Sequence, residues 1–121
     1  MLYIFSGYGT TLCCSRIEVI LNGDIQGTQG SRSGVYQKGR GLFTNRSHWN
    51  QIGGGNSLWY EILINAWFIG SSSNIGDASN TDGGINSVQD TACPTSDNRF
   101  QFFDGTGFIL LPINSVSIQC V

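Results

Sequence analysis

The chain has 121 residues, a formal net charge of −2 and only 12% charged residues, a length that suits a single domain folded around one core. Two Glu, one Lys and three Ala stand against 17 Gly, so no stretch combines helical spacing with helix-forming residues, and the composition predicts an all-β, turn-rich domain. Five Arg and one Lys scattered singly offer no basic stripe for nucleic acid, and no apolar run reaches the roughly 20 residues that cross a bilayer as a helix.

In chain order, Met1-Leu2-Tyr3-Ile4-Phe5 is uncharged and rich in strand formers, and Ser6-Gly-Tyr-Gly-Thr10 reads as a hinge. Residues 1–12 are therefore set apart, as a candidate donor strand, from a domain over 13–121. The apolar start lacks a basic flank and is too short for a signal peptide, so secretion requires that the targeting signal has already gone. From Cys13 to Leu21, odd positions alternate with even ones as in a half-buried strand, and Asn22-Gly23 ends it in a turn. Residues 24–33 read as a loop and 34–37 as a short strand. Residues 42–49 and 57–64 read as two strands joined through Gly53-Gly54-Gly55. Residues 66–70 form another strand. The run 71–94, dominated by Ser, Asn, Asp and Gly, reads as the longest loop, with Ile75, Ile85 and Val88 turned inward. Strands over 99–103 and 107–111, joined by Asp104-Gly105, and over 116–121 close the chain.

About eight short strands at this spacing predict an antiparallel two-sheet sandwich, jelly-roll or immunoglobulin-like, with its terminal strands side by side. The apolar phase of each strand assigns Ile17, Val19, Tyr36, Tyr60, Ile62, Trp67, Ile69, Phe102, Ile109, Val116 and Ile118 to the core.

Cys13, Cys14, Cys93 and Cys120 are an even set whose spacing fits neither a zinc ribbon nor a redox Cys-x-x-Cys pair, which predicts two disulfides and an extracellular location. Strand parity sets Cys13 on the face of Ile17 and Val19 and Cys120 on that of Val116 and Ile118. It thus favours Cys13–Cys120 with Cys14–Cys93 among the three connectivities. Asn45-Arg46-Ser47 is an N-glycosylation sequon, usable in the same compartment.

Catalytic chemistry is hard to assemble from this chain. His48 is its sole histidine, and its two glutamates, Glu18 and Glu61, fall on separate strands, so neither a nucleophile with a base nor a carboxylate pair is in view. The expectation is no enzyme, no cofactor and no metal. His48 reads as a surface residue and Glu61 as solvent-facing beside Trp59. Asp77, Asn80 and Asp82 lack the order of a calcium loop and read as turn formers. Trp67 reads as core, whereas Trp49 and Trp59, with Asn50, Gln51 and Asn56 nearby, are candidate glycan contacts, because sugar rings stack on flat aromatic faces.

Cys14-x-x-Ile17-x-Val19, Gly34-Val-Tyr36, Leu58-Trp-Tyr60, Trp67-Phe-Ile-Gly70, Cys93-Pro94 and Val116-x-Ile118-x-Cys120 together resemble a cysteine-framed β module. The module occurs, often in tandem, in secreted and surface proteins of aquatic invertebrates and protists. The resemblance covers residues 13–121 and implies an extracellular location and a β-sandwich, without an activity. The chain departs from the pattern where Phe100 or Phe102 stands in place of an expected Trp, and residues 1–12 lie outside it. The resulting expectation is an extracellular structural subunit that assembles head-to-tail with copies of itself, by exchange of the strand Met1–Phe5, into a filament or matrix. The alternative is a lectin-like adhesion module that binds carbohydrate.

Overall fold

The computed structural model describes residues 13–23, 25, 29–76, 83–103 and 107–121. Among these described residues nine strands follow in chain order: β1 (Arg16–Leu21), β2 (Gly34–Lys38), β3 (Trp49–Gln51), β4 (Asn56–Glu61), β5 (Ala66–Ser71), β6 (Gly84–Ser87), β7 (Phe100–Phe103), β8 (Phe108–Leu110) and β9 (Val116–Cys120). All pairings are antiparallel, and the strands lie in the order β8-β7-β6-β5-β4-β3-β2-β1-β9.

The all-β expectation therefore holds, while the two-sheet sandwich is replaced by one curled sheet, a half-barrel. Each strand from β1 to β7 pairs with the next in sequence and β9 returns to β1, from Ile17↔Cys120 to Leu21↔Val116, so nothing divides the strands into two layers. The right-handed twist of β-strands bends so wide a sheet, and its apolar face then closes on itself. Ile17 and Val19 of β1, Trp49 of β3, Leu58 and Tyr60 of β4, Phe100 of β7 and Ile118 of β9 accordingly share one buried cluster, although β7 and β9 lie far apart in strand order.

Most strands fall where alternation placed them. Residues 42–49 do not: only Trp49 enters β3, because Phe43 and Arg46 bridge across a tight turn in which Thr44 and Asn45 hold φ of 50° and 63°. In the stretch expected as a loop over 24–33, Ile25 and Gln29 are helical and Gly30–Arg32 is a 3₁₀ turn. β6 sits inside the run expected as the longest loop. It is held between β5 and β7 by the fully buried Ile85, and Gly84 is glycine because a Cβ there would run into the Phe68 ring.

Eight of the eleven expected core residues are buried, and Phe102 packs partly buried against the cluster. Ile62 and Ile109 are corrections, at 58% and 46% exposed. β4 ends at Glu61, so Ile62 lies in the turn that Asn65 (φ 50°) closes, and Ile109 lies on the outermost strand. Ile118→Ala is therefore expected to cost about 2–5 kcal/mol by opening a cavity, and Ile62→Ala no more than about 0.5 kcal/mol, read from denaturant midpoints.

β4 is buried on both faces. Leu58 and Tyr60 face the core, while Ser57, Trp59 and Glu61 lie on the convex side, where Trp59 packs on Phe68 with ring centroids 5.1 Å apart. After β5 the chain folds back over this side: the Ser72 and Ser57 hydroxyls are 2.7 Å apart, the Ser72 amide donates to the Gly55 carbonyl, and Gly76 abuts the Phe43 ring.

Candidate functional site: a closed pole and an open edge

Among the described residues the half-barrel has one pole stapled by disulfides and, at one of the two ends of its sheet, a half-exposed apolar strand. At the stapled pole the disulfides are Cys13–Cys93 and Cys14–Cys120, with Cα separations of 5.7 and 5.9 Å, which overturns the pairing expected from strand parity. Parity fails because β1 begins only at Arg16. Ahead of it the chain turns, so that Cys14 reaches β9 while Cys13 reaches the stretch beyond Thr91. The Cys14 carbonyl accepts from Trp49 Nε1 at 3.0 Å and the Cys13 carbonyl from Lys38 Nζ at 2.7 Å, which fixes both carbonyls within the fold.

Beside the disulfides, Trp67 meets Trp49 and Tyr60 edge-on, at centroid distances of 5.8 and 5.4 Å. Trp67 Nε1 and Arg46 Nη1 both donate to the Thr91 carbonyl, each at 3.0 Å. The Arg46 guanidinium lies 3.4 Å from the Tyr60 ring centroid, and the Tyr60 hydroxyl donates to Asp90 Oδ1 at 2.9 Å. Burial, with help from that hydrogen bond, pushes the Tyr60 phenol up to about 12, so it stays protonated. Asp90 is half exposed and 3.7 Å from Arg46, and such an ion pair contributes at most about 1 kcal/mol. These groups satisfy one another, and the pole reads as a brace.

Asp97 is the exception. It is 5% exposed and its Oδ1 accepts from Thr91 Oγ1 at 2.9 Å, while Oδ2 has no partner among the described residues. Burial raises its pKa to about 6 against the opposing pull of the Thr91 and Ser87 hydroxyls. A carboxyl with a raised folded pKa binds more protons folded than unfolded, so its contribution is full below the unfolded value near 4 and is lost as pH climbs through about 6. The stability difference between the parent and Asp97→Asn is accordingly expected to shift in favour of the variant between pH 4 and pH 7, by on the order of 2 kcal/mol. A pH-independent difference in unfolding midpoints would refute this.

The remaining sequence-predicted residues separate clearly. Trp49 and Trp59 are fully buried, Trp49 in the core and Trp59 under the convex side, so neither offers a face to a sugar. Glu61, expected at the surface, is 2% exposed and accepts from Trp59 Nε1 at 3.1 Å and from the Leu63 amide at 3.3 Å. His48 is half-buried and burial lowers its pKa. Asn45 is exposed at the tip of its turn, with the flanking Arg46 anchored inward, an arrangement that leaves the sequon asparagine open to an enzyme. Met1, Leu2, Tyr3, Ile4 and Phe5, like Asp77, Asn80 and Asp82, lie outside the described residues.

Of the two outer strands, β9 and β8, the apolar one is β8. It pairs with β7 through Gln101↔Leu110, Phe102↔Ile109 and Phe103↔Phe108 and is the last strand of the sheet among the described residues. Phe108, Ile109 and Leu110 are 54%, 46% and 55% exposed, so this apolar strand is about half exposed on both faces. Next to it opens a groove of about 530 Å³ whose described lining combines Ile25, Phe102, Ile109, Leu110, Leu111 and Pro112 with the polar Asn22 and Ser115 and with Gly23. The apolar run 107–111 is visible in the sequence, but its exposure is not, since strand order decides which apolar strand lies outermost.

Comparison with protein-family models, with curated proteins and with solved structures gives no match in any of the three. No helix among the described residues is long and apolar enough to cross a membrane, and the two disulfides fit an oxidising compartment.

Proposed function

We propose that the protein is an extracellular structural subunit that assembles head-to-tail with copies of itself into a filament or matrix through its N-terminal apolar segment. The observation that carries this reading is β8, a wholly apolar, half-exposed strand that lies outermost in the sheet among the described residues. Soluble proteins blunt such edges with charge, proline or bulges because a bare edge templates pairing with another chain. Phe108-Ile109-Leu110 has none of these, and Met1–Phe5 has the matching chemistry, five uncharged residues of high β propensity. Donor and acceptor are different surfaces, so the contact propagates into an open chain unless rotation closes a ring. The burial of Trp49 and Trp59 removes the platform on which the lectin-like alternative rested.

Light scattering coupled to size exclusion tests the reading. The full chain is expected to form species far above its 13.1 kDa mass, and the chain lacking residues 1–10 to remain a folded monomer. A monodisperse full-length monomer at high concentration sinks the proposal.

A further inference from the structure

We infer that Asn45 carries an N-linked glycan and that this glycan covers the exposed apolar tip of the β4–β5 hairpin. The inference needs the extracellular reading and is independent of self-assembly.

The tip is built to stay outside. Between Glu61 and Ala66, the side chains of Ile62, Leu63 and Ile64 are all exposed, Leu63 at 75%. The Leu63 amide donates to Glu61 Oε2 at 3.3 Å, the Ile64 amide donates to the Glu61 carbonyl at 3.2 Å, and Asn65 holds a φ of 50°. Glu61 is itself buried and accepts from Trp59 Nε1, so folding the tip inward would release a carboxylate that two groups share. Adjacent large aliphatic side chains fixed outward in this way make a patch that a folded domain either covers or uses.

The sequon is anchored beside that tip. Phe43 and Arg46 exchange main-chain hydrogen bonds of 2.8 and 3.0 Å around Thr44 and Asn45, whose positive φ values mark a two-residue turn of the kind that favours Asn. Both neighbours of Asn45 are pinned to Tyr60: Thr44 Oγ1 donates to the Tyr60 carbonyl at 2.8 Å, and the Arg46 guanidinium lies over the Tyr60 ring. Tyr60 stands two residues ahead of Ile62, about 7 Å along an extended chain. Asn45 is therefore held, exposed, next to the apolar tip, with Leu42, also exposed, leading into the same turn. A glycan rooted there is bulky and solubilising and keeps other molecules off the tip without needing a matching pocket.

The modification is a group transfer. Asn45 Nδ2 attacks the anomeric carbon of an oligosaccharide carried on a lipid pyrophosphate. The N–C bond forms as the C–O bond to the pyrophosphate breaks, the lipid pyrophosphate leaves with that electron pair, and the amide nitrogen gives up one proton to the medium.

Secretion of the full chain from eukaryotic cells tests both halves of the inference. The chain has no other Asn-x-Ser/Thr triplet, so a glycan mass removable by peptide N-glycosidase is expected on the parent and is expected to be lost in Asn45→Gln and in Ser47→Ala. The two disulfides, read by mass under non-reducing conditions, report passage through the oxidising compartment. Disulfide-bonded parent chain without a glycan would overturn the inference at the site itself, with the extracellular reading intact. Covering is read by hydroxyl-radical footprinting of one preparation before and after enzymatic removal of the glycan. Oxidation of Ile62, Leu63 and Ile64 is expected to rise on removal, while Ile52, exposed at the other end of β4, stays unchanged as the internal reference. Equal oxidation of the tip in the two forms would overturn the covering and leave the tip to a second copy or a lipid surface.

Discussion

Loss of both disulfides is expected to unfold the domain near room temperature, whereas loss of either one alone is expected to cost only about 3.5 kcal/mol. The asymmetry follows from how the two loops overlap. Taken singly, Cys14–Cys120 closes 106 residues and Cys13–Cys93 closes 80, each worth between about 4 and 5 kcal/mol of loop entropy in the unfolded chain. Because Cys13 and Cys14 are adjacent, once one bridge is present the other closes only the path from Cys93 to Cys120, 120 − 93 = 27 residues, worth about 3.5 kcal/mol. The pair together contributes about 8 kcal/mol, comparable to the whole stability of an ordinary domain. Denaturant unfolding of Cys13→Ala/Cys93→Ala, Cys14→Ala/Cys120→Ala and the quadruple variant should therefore show two similar single losses and a combined loss larger than their sum. A structural consequence separates the two bridges. Cys14–Cys120 anchors β9, whose only sheet partner among the described residues is β1, so its removal should raise amide exchange along Val116–Cys120, while removal of Cys13–Cys93 should loosen the stretch around Cys93 instead.

The features that sequence reasoning reached and those it missed divide along a physical line. Alternation found β1, β4, β5, β7 and β9, because a strand with one face in a core must repeat every two residues, and it placed Ile17, Val19, Tyr60, Ile69, Val116 and Ile118 correctly. Alternation says which face turns inward but not which strands are neighbours. The same pattern is compatible with two facing sheets or one curled one, and the sandwich was read where a half-barrel stands. β6 escaped because a single apolar residue, Ile85, among Gly, Asn and Ser gives almost no periodic signal, although two strands flank it. Glu61 and Trp59 misled for the opposite reason. Their phase is the convex one, which is ordinarily wet, yet here that side is covered, with Trp59 packed on Phe68 and the chain returning at Ser72 to Ser57. The cysteine pairing was misread because strand parity was extended three residues upstream of the point where the strand begins. Exposure of β8 could not be read from the residues at all, since Phe108-Ile109-Leu110 would look the same as an inner strand.

Trp67→Ala is expected to be the most damaging single substitution at the stapled pole, at about 3–5 kcal/mol. Trp67 is 1% exposed and lies against both Trp49 and Tyr60 in edge-to-face contact, so its removal leaves a cavity bordered by two rigid rings that cannot collapse into it. Neither neighbour can swing to fill the space: Trp49 Nε1 is held by the Cys14 carbonyl and the Tyr60 hydroxyl by Asp90. The indole also tethers the chain between β6 and Cys93, because Nε1 donates to the Thr91 carbonyl. That tether is shared with Arg46 Nη1, so Trp67→Phe, which loses the hydrogen bond and part of the ring volume but keeps an aromatic edge, should cost roughly 1–3 kcal/mol. The ordering Ala worse than Phe, with both worse than Ile62→Ala, is what chemical unfolding should return. Equal midpoints for Trp67→Ala and the parent chain would mean that the aromatic cluster does not hold this pole together.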